Sequence, residues 1–428
     1  MEKKISLWIA IIININVIIG SAFFIGSGII AQKSGLFAPI IWLLCGIIIL
    51  PIVFAFAQLS KTYPEAGGIY IYPKRELGSL WGFISGWGYF ISITSGNAII
   101  MHSFTVRFAN LLFPNFIQRF DPTYLILDVM LIILFTIFNL ANINFLEKAQ
   151  IIFTSLKAIP ILMLIFASVT LFSLENATTT VTSLLPGFVD SIPIVLFGYI
   201  GFEICCAISH QIKNGEKNTA KAIIFSFGLI IAIYSILQFL IVGIHGTNTT
   251  FPFLELLPKL TNNLYLINFG NLIINLAIMS SYLAAYYGLF YGNNWVLYAL
   301  GKEKSLPLSK YFTKLNIHKT PWFSVIFQGI ITFSFLLITR STSDLIIMSD
   351  FSIIITYILG TISLISIAIK MKANKNFILG ILSTLSCGCF LYICFKELSE
   401  SGIQCLVPFL IIFGIGIVLN QIVNKKKE

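Results

Sequence analysis

Long apolar stretches, separated by short polar segments, dominate the pattern along this chain. Most of them hold about twenty residues, the length that an α-helix needs to cross a hydrocarbon layer about 30 Å thick. They can be placed at about 7–30, 37–59, 81–106, 123–142, 149–173, 190–212, 220–245, 264–299, 322–339, 345–369, 376–395 and 402–423. The pattern therefore predicts an all-α polytopic membrane protein with about 12 transmembrane helices.

Composition strengthens this prediction and excludes several other classes of protein. The 428 residues are 57% hydrophobic and only 10% charged, whereas soluble domains carry about 25% charged residues. Soluble enzymes, nucleic-acid binders and disordered tails are therefore excluded. The first apolar run follows Met1-Glu2-Lys3-Lys4 and is not closed by a small-residue cleavage site. We expect it to be the first membrane helix and not a signal peptide.

The distribution of positive charge orients the predicted helices. With twelve helices, 20 of the 27 Lys and Arg residues fall on the side that holds both termini, and six fall on the other side. Cytoplasmic loops carry the excess of Lys and Arg in membrane proteins, so both termini are expected in the cytoplasm. The net charge of +10 thus reflects topology and not nucleic-acid binding. The Ile- and Lys-rich composition is typical of a bacterial inner-membrane protein.

Glycine clusters interrupt the first and the sixth predicted helices. One cluster lies in residues 18–28 and the other in residues 197–203. They are the first helices of two successive sets of five. Because five is an odd number, the second set crosses the membrane in the opposite direction to the first. We expect a five-plus-five inverted-repeat transporter fold with broken helices 1 and 6. The transporter core is residues 1–370, with repeats at about 7–173 and 190–369; residues 371–428 add two helices and a basic cytoplasmic tail.

Interrupted helices provide a specific binding chemistry. Unwinding frees backbone N–H groups at one half-helix start, where the helix dipole favours a carboxylate. It also frees carbonyl groups, which accept hydrogen bonds from an ammonium group. One site can then bind both ends of an α-amino acid without a charged side chain. The alternative is that these glycines only allow close packing of helices.

Several motifs resemble those of the amino acid–polyamine–organocation permeases. Residues 64–72 read PEAGGIYIY and residues 82–87 read GFISGW, which is similar to the family signature P-x-A-G-G-x-Y-x-Y … G-F-x-x-G-W. Residues 20–22, 201–203 and 294–300 agree with further family stretches. The resemblance covers about residues 7–370 and is closest to the bacterial arginine/agmatine-type antiporters. It implies alternating access, and it implies transport of amino acids by exchange or with protons.

The resemblance also implies a set of substrate-binding residues. They are Ile18, Gly20, Ser21, Ala22, Ser92, Asn97, Phe197, Ile200 and Ser349. By that likeness the backbone at Ser21 and Ala22 would hold the substrate carboxylate. The carbonyl groups of Ile18, Phe197 and Ile200 would meet the amino group, and the ring of Phe197 would cover the bound substrate.

Two positions depart from the family pattern. The second glycine of the family's G-S-G is Ala22 here, which narrows the backbone freedom at the carboxylate site. The tryptophan that stacks on arginine in the eighth helix has no counterpart, because its place falls near Leu289 or Phe290. The resemblance therefore supports amino acid transport more firmly than arginine transport.

Ionisable and hydroxyl groups inside the predicted helices are candidates for gating or proton coupling. Tyr89, Glu203 and Tyr357 match a hydrogen-bonded gate on the cytoplasmic side of the family. Lys157 resembles the family's fifth-helix lysine, whose ammonium stands where sodium binds in sodium-coupled relatives, and this argues against sodium coupling. A charge in the bilayer costs several kcal/mol unless it is compensated, so Glu203 and Lys157 are functional candidates. The alternative is that each is a neutralised or ion-paired structural residue.

Other polar residues receive no functional role from the sequence. Asp128 and Asp350 lie near predicted helix ends, where solvation is easy. Arg107 borders an outside loop and is expected to anchor its helix at the membrane interface. The four histidines are scattered without ligand spacing, so neither a metal nor a cofactor is predicted.

Three classes of function remain at this point. The first is a secondary transporter of amino acids, with polyamines or other organic amines as alternative substrates. A membrane-embedded transferase would need a constellation of His, Asp or Ser at one membrane face, and none is evident. A channel would not require paired breaks in inverted halves. The expected partners are the lipid bilayer, an amino acid or amine, protons if transport is proton-coupled, and, as an open alternative, a second copy in a homodimer.

Overall fold

Helices form nearly all of the part of the chain that the structure describes. The computed structural model describes residues 4–112, 122–141, 143–178, 184–339, 341–401 and 407–425. In chain order the helices are α1 (Leu7–Ile18), α2 (Ser21–Ser34), α3 (Ala38–Thr62), α4 (Gly68–Leu77), α5 (Ser79–Leu112), α6 (Pro122–Asn139), α7 (Ile143–Leu171), α8 (Leu174–Thr178), α9 (Leu184–Tyr199), α10 (Ile204–Ala207), α11 (Gly215–His245), α12 (Leu256–Leu260), α13 (Leu264–Lys302), α14 (Ser309–Phe312), α15 (Trp322–Ile338), α16 (Thr342–Lys370), α17 (Asn374–Ser401) and α18 (Val407–Lys425). Within these ranges β-pairing is limited to two isolated bridges. The predicted all-α architecture is confirmed.

Many of these helices have the length and composition of membrane spans. Within the described ranges, seven segments are long and apolar enough to cross a bilayer: Ser21–Thr62, Ile143–Leu171, Gly187–Ala207, Gly215–His245, Leu264–Lys302, Thr342–Lys370 and Asn374–Lys396. Shorter apolar helices lie at Leu7–Ile18, Tyr124–Asn139, Trp322–Ile338 and Leu410–Val423. The chain is a polytopic membrane protein, while the number of twelve spans stays a prediction. Residues 426–428, most of the predicted basic tail, lie outside the described residues.

The long helices pack around α5 and α11. α5 lies against α16 and α13, and α11 lies against α3 and α1. An aromatic cluster joins α2, α3 and α11, in which the ring of Phe23 stacks on Tyr234 with centroids 4.5 Å apart. Trp42 tilts against the same tyrosine at 4.6 Å. Buried aromatic pairs of this kind add to the packing energy, so they give the breaks described next a rigid support.

The first break separates α1 from α2 at Ile19 and Gly20. Gly20 is the N-cap of α2 and has φ −106° and ψ −140°. A Cβ atom at Gly20 would lie 2.9 Å from the Cβ of Ala285. Any larger residue would therefore push α13 away from the break. The apolar stretch at 7–30 thus forms two short helices that meet at a glycine.

The second break separates α9 from α10 and contacts the first. Gly201 has φ +111°, a conformation that residues with a side chain rarely adopt. A Cβ atom at Gly201 would lie only 2.4 Å from Cγ1 of Val17, near the end of α1. The two interruptions predicted from glycine clusters therefore meet, and glycine is needed where they meet.

Both described ends of the chain lie at one face of the molecule. Lys4 lines a cavity together with Lys302 and Glu303, at the end of α13. Near the end of α18, the side-chain amide of Asn420 donates to the carbonyl oxygen of Ser305 over 2.8 Å. We call this the termini face, and the other end of the molecule the opposite face.

Candidate functional site

A small cavity lies where the two helix breaks meet. Its volume is about 20 Å³, which is close to the space that one water molecule occupies. It is lined by Val17, Ile18, Gly20, Ser21, Ala22, Ser92, Ile93, Gly96, Ile100, Phe197, Ile200, Leu289 and Ser349. We call it the central cavity. Eight of the nine residues expected to bind substrate thus lie around one space.

Asn97 is the expected binding residue that does not line the central cavity. It is fully buried on α5, one position beyond Gly96. Its side-chain amide has no hydrogen-bond partner within the described ranges. Because an unpaired buried amide is costly, Asn97 is a candidate for contact with a ligand or a water molecule in another conformation. Its role in binding stays a prediction.

The N-terminus of α2 points its free backbone groups at the first break. The first N–H groups of a helix have no acceptor within the helix, and the N-cap Gly20 offers no side chain to them. Ser21 and Ala22 occupy the first turn and line the central cavity. The methyl group of Ala22 is not crowded by the second break, because even a Cβ atom added at Gly198 would lie 3.6 Å from it, which is ordinary van der Waals contact. The departure at Ala22 therefore fits this backbone.

A tyrosine that the sequence analysis did not single out ties the two breaks together. The hydroxyl group of Tyr234 lies 2.9 Å from the carbonyl oxygen of Ile18 and 3.2 Å from that of Gly198. It is fully buried on α11. A tyrosine inside an apolar run is a weak signal, and its acceptors lie far away in sequence, so only the fold reveals this contact.

The remaining wall of the central cavity combines apolar side chains with serine hydroxyl groups. The hydroxyl groups of Ser92 on α5 and Ser349 on α16 lie 3.2 Å apart. Leu289 lines the cavity, whereas Phe290 packs on Tyr286 with ring centroids 5.5 Å apart. Of the two residues near which the family tryptophan is expected, Leu289 is therefore the one that lines the cavity, and the correspondence itself stays a prediction. None of the lining residues carries a charged side chain.

Phe197 lies at the edge of the central cavity and faces Gly96. A Cβ atom placed on Gly96 would be 3.5 Å from Cε2 of Phe197 and 3.5 Å from Oγ of Ser349. A methyl group at Gly96 would thus be in ordinary van der Waals contact with the ring and with the serine. An aromatic ring in this position can swing over a ligand, which is the role that the resemblance implies for it.

The expected gate residues lie together next to the second break. The carboxylate of Glu203 accepts hydrogen bonds from the backbone N–H of Gly201 at 3.1 Å and from the hydroxyl group of Tyr357 at 2.9 Å. Tyr89 neighbours the same carboxylate. Glu203 is fully buried but does not line the central cavity. The cluster joins the second break to α5 and α16.

Lys157 binds backbone carbonyl groups at the end of α1. Its ammonium group donates to the carbonyl oxygens of Asn16 at 3.2 Å and Ile19 at 2.6 Å. The hydroxyl group of Ser281 donates to the same Ile19 oxygen at 2.7 Å. The lysine is buried, with 3% exposure, and the partners found for its ammonium are carbonyl oxygens and not a carboxylate. It therefore holds the first break from behind.

Two larger cavities approach the central cavity from opposite faces. The near vestibule, about 590 Å³, lies at the termini face and is lined among others by Lys4, Glu65, His210, Gln211, Tyr291, Trp295, Lys302 and Glu303. The far vestibule, about 480 Å³, lies at the opposite face and is lined by Ile25, His102, Ser103, Val106, Arg107, Asn110, Leu111, Phe251, Leu254, Asn275, Tyr282 and Thr342. The small cavity between two vestibules is the arrangement expected of a nearly closed transport site.

Two expectations about polar residues are wrong. Asp128 and Asp350 are buried, with 0% and 1% exposure, and are not solvated at helix ends. Asp128 lies inside α6, where its Oδ2 is 2.9 Å from Nδ1 of His102 on α5. Arg107 lines the far vestibule, and its expected role as an anchor at the membrane interface stays a prediction.

Comparison with known proteins gives the family of the chain. The amino acid permease family matches residues 5–419. Because the match spans nearly the whole chain, the chain belongs to this family of amino acid permeases. The expected membership of the amino acid–polyamine–organocation permeases is confirmed.

Individual relatives differ in what they carry. The chain is 24% identical over 388 residues to the serine/threonine exchanger SteT of Bacillus subtilis, covering 88% of this chain and 85% of the relative. It is 26% identical to the arginine/ornithine antiporter ArcD2 of Lactococcus lactis, and the alignment covers 100% of this chain and 90% of the relative. It is 29% identical over 261 residues to the aspartate-proton symporter of Bacillus subtilis, covering 58% and 49%.

Proposed function

We propose that this permease exchanges small neutral amino acids across the bacterial inner membrane by alternating access. The observation that carries the proposal is the central cavity, which lies at two helix breaks between two vestibules and is lined by main chain, apolar side chains and serine hydroxyl groups. A site of this kind recognises the two charged ends of an amino acid with backbone groups. For the side chain of the substrate, the same site provides hydroxyl groups as its polar side-chain partners.

The substrate's charged ends meet opposite ends of interrupted helices in this proposal. The carboxylate binds the free N–H groups of Ser21 and Ala22, where the positive end of the α2 dipole lies. The amino group donates to the carbonyl oxygens of Ile18, Phe197 and Ile200. The oxygen of Ile18 already accepts hydrogen bonds from the hydroxyl group of Tyr234 and from the N–H of Gly20, so the amino group replaces one of these donors when the substrate binds.

The wall of the central cavity favours a neutral side chain. A guanidinium, ammonium or second carboxylate group would be buried without a counter-ion, which costs several kcal/mol. The hydroxyl groups of Ser92 and Ser349 can exchange hydrogen bonds with serine or threonine, and Leu289 limits the size of the ligand. The relative whose printed name is serine/threonine exchanger aligns over most of its own length, which supports the same choice.

Alternating access follows from the inverted-repeat architecture that the two breaks imply. We place twelve spans in the chain, with the repeats at about 7–173 and 190–369 and with the termini face in the cytoplasm. In this topology the near vestibule opens to the cytoplasm and the far vestibule to the outside. Phe197 closes the central cavity towards the outside, and Tyr89, Glu203 and Tyr357 close it towards the cytoplasm.

Exchange is favoured over proton symport by the relatives. The exchanger and the antiporter align over 85% and 90% of their lengths, whereas the proton symporter aligns over 49%. Lys157 also places its amino group against the carbonyl oxygens of Asn16 and Ile19. An amino group at this place makes a bound sodium ion unnecessary, so transport is independent of sodium.

The decisive experiment measures radiolabelled serine uptake into proteoliposomes. Vesicles are either empty or loaded with unlabelled serine, threonine, alanine, arginine or putrescine, with and without an inward proton gradient and with and without sodium. We expect uptake only into vesicles that hold serine, threonine or alanine, regardless of either ion gradient. Arginine or putrescine as the best counter-substrate would overturn the neutral-substrate proposal. Uptake into empty vesicles that needs the proton gradient and is lost in Glu203→Gln would replace exchange by proton symport.

A further inference from the structure

The far vestibule and the central cavity share one face of α5. Ser92, Gly96 and Ile100 line the central cavity, and Ser103, Arg107 and Asn110 line the far vestibule. Their spacings of three and four residues place all of them on one stripe of the helix. At 1.5 Å per residue, Arg107 lies about 10 Å beyond Ile100 along the axis. A molecule moving from the far vestibule to the central cavity therefore passes Arg107 first.

The guanidinium group of Arg107 is held in a fixed position. Its Nη1 donates to Oδ1 of Asn275 on α13 over 2.7 Å. The amide nitrogen of Asn275 donates to the carbonyl oxygen of Asn271 over 3.0 Å, so its oxygen is left to face the arginine. The guanidinium also lies over the rings of Phe251 at 5.6 Å and Tyr282 at 6.0 Å. A guanidinium group has five N–H donors, of which one binds Asn275 and another faces the hydroxyl group of Tyr282.

The charge of the far vestibule is positive. Arg107 is the permanent charge among the residues that line it, and none of the lining residues is a carboxylate. Asp128 binds His102 from behind. Glu255 accepts hydrogen bonds from the backbone N–H groups of Thr250 and Phe251. Neither carboxylate lines the far vestibule, so the charge of Arg107 has no counter-charge among the lining residues.

We propose that Arg107 forms an entry subsite that binds the carboxylate of an incoming substrate in the far vestibule, before the substrate reaches the central cavity. A planar guanidinium pairs with a carboxylate through two parallel hydrogen bonds. Contact of the half-buried guanidinium with two rings and Asn275 prepares it for this pairing at little cost in conformational entropy. The subsite rests on the proposed transport function and adds a side-specific step to it.

The subsite predicts a kinetic asymmetry between the two faces. A positive charge that captures the substrate raises the rate of association from its own side, and salt screens this effect. Loss of the charge raises KM for substrate added at the opposite face, while KM for substrate added at the termini face is unchanged. The maximal rate is also unchanged, because Arg107 does not line the central cavity.

The test compares Arg107→Gln and Arg107→Lys with the wild-type protein in intact cells and in inverted membrane vesicles. For Arg107→Gln we expect KM from the cell exterior to rise about tenfold and to lose its dependence on ionic strength, with no change in inverted vesicles. Arg107→Lys keeps the charge but not the two parallel hydrogen bonds, so it should retain the dependence of KM on ionic strength and recover only part of the affinity. Lys33→Gln is the matched control, since Lys33 is exposed near the end of α2 and binds the carbonyl oxygen of Asp190.

Each result decides one of the two proposals. Wild-type protein that transports no amino acid contradicts the proposed function itself. Wild-type transport with an unchanged external KM in Arg107→Gln overturns the entry subsite alone. Equal changes of KM at both faces, or the same change in Lys33→Gln, also overturn it, because the arginine would then act on the fold or on the general surface charge. Loss of the ionic-strength dependence in Arg107→Lys, which keeps the charge, would assign Arg107 to anchoring Phe251 and not to binding substrate.

Discussion

The ammonium group of Lys157 on α7 lies 2.6 Å from the carbonyl oxygen of Ile19, the residue at which the first helix break begins. Ile19 belongs to neither α1 nor α2, so its carbonyl group has no partner within a regular helix. The lysine and the hydroxyl group of Ser281 satisfy this oxygen together. The geometry of the first break therefore depends on a side chain that is 138 residues away in sequence.

Replacing Lys157 should disable transport. In Lys157→Ala the carbonyl groups of Asn16 and Ile19 lose their hydrogen-bond donor. A hydrogen bond to a charged group contributes about 1.5–3 kcal/mol to stability. We expect the exchange rate to fall at least about tenfold, and sodium should not restore it. The measurement is serine exchange in proteoliposomes, with the amount of folded protein checked by gel filtration.

Lys148→Ala is the matched control, because Lys148 lies exposed on the same helix. It should exchange serine at the wild-type rate. Wild-type exchange in both variants would show that the contact of Lys157 with Ile19 does not matter for transport. Stimulation of the wild-type protein by sodium would contradict the assignment of the lysine to the position of an ion.

The second break depends on the absence of a side chain at Gly201. In Gly201→Ala the added methyl group would lie 2.4 Å from Cγ1 of Val17, and φ +111° is strained for alanine. Strain of this kind costs about 1–3 kcal/mol, so we expect a lower melting temperature together with a loss of exchange. Gly228→Ala on α11 is the control, since nothing lies within 4 Å of its added Cβ, and it should retain both properties. A variant Gly201→Ala with normal exchange would contradict the need for glycine at this break.

Sequence patterns predict the local features of this molecule well. The breaks at Gly20 and Gly201 follow from glycine clusters inside apolar runs, because both the cluster and the helix end are properties of one short segment. Contacts between distant segments were not predictable in the same way. The hydroxyl group of Tyr234 reaches Ile18 across 216 residues, and Arg107 reaches Asn275 across 168. Such pairs require the packing of α11 and α13 to be known.

The error at Asp128 has the same origin. Its position near the end of an apolar stretch predicted contact with solvent. The structure instead buries it against α5, where it binds Nδ1 of His102.

The expected binding residues lie close to where the sequence analysis expected them. They were carried over from family motifs, and most of them line the central cavity, although their roles remain to be tested.

A polar cluster at the termini face connects α4 with α16. The carboxylate of Glu76 accepts hydrogen bonds from Tyr63 at 2.7 Å, Ser366 at 3.0 Å and Lys370 at 2.7 Å. Burial alone would raise the pKa of Glu76. The hydrogen bonds from Lys370, Tyr63 and Ser366 outweigh it and hold the pKa below its usual 4.5. The charged form of Glu76 is therefore favoured in the folded protein.

This cluster should make stability depend on pH in the acid range. Because the pKa of Glu76 is lower in the folded than in the unfolded chain, its contribution is present above about pH 4.5 and is lost as the pH falls through the folded value. Glu76→Gln should lower the melting temperature at pH 7 by about 1–2 °C and weaken its fall in acid. Thermal unfolding in detergent over about pH 3 to 7, from roughly 1.5 units below to roughly 2.5 units above the usual carboxyl pKa, measures both effects.

Glu65→Gln is the control for the Glu76 variant. Glu65 is largely exposed, and its partner Arg75 is 3.6 Å away, so this pair should contribute little to stability. A melting temperature of Glu76→Gln equal to that of Glu65→Gln at every pH would show that the cluster does not stabilise the fold.

The size of the central cavity should set which neutral amino acids are exchanged. In Gly96→Ala a methyl group would fill space 3.5 Å from both Phe197 and Ser349, so threonine exchange should fall more than glycine or alanine exchange. Leu289→Ala removes an apolar wall of the same cavity and should admit valine and leucine. One methylene group in an apolar pocket changes discrimination by about 10- to 200-fold. Competition of each amino acid with serine exchange measures the ratio. If both variants kept the wild-type order of preference, the substrate side chain would have to bind somewhere other than between Gly96 and Leu289.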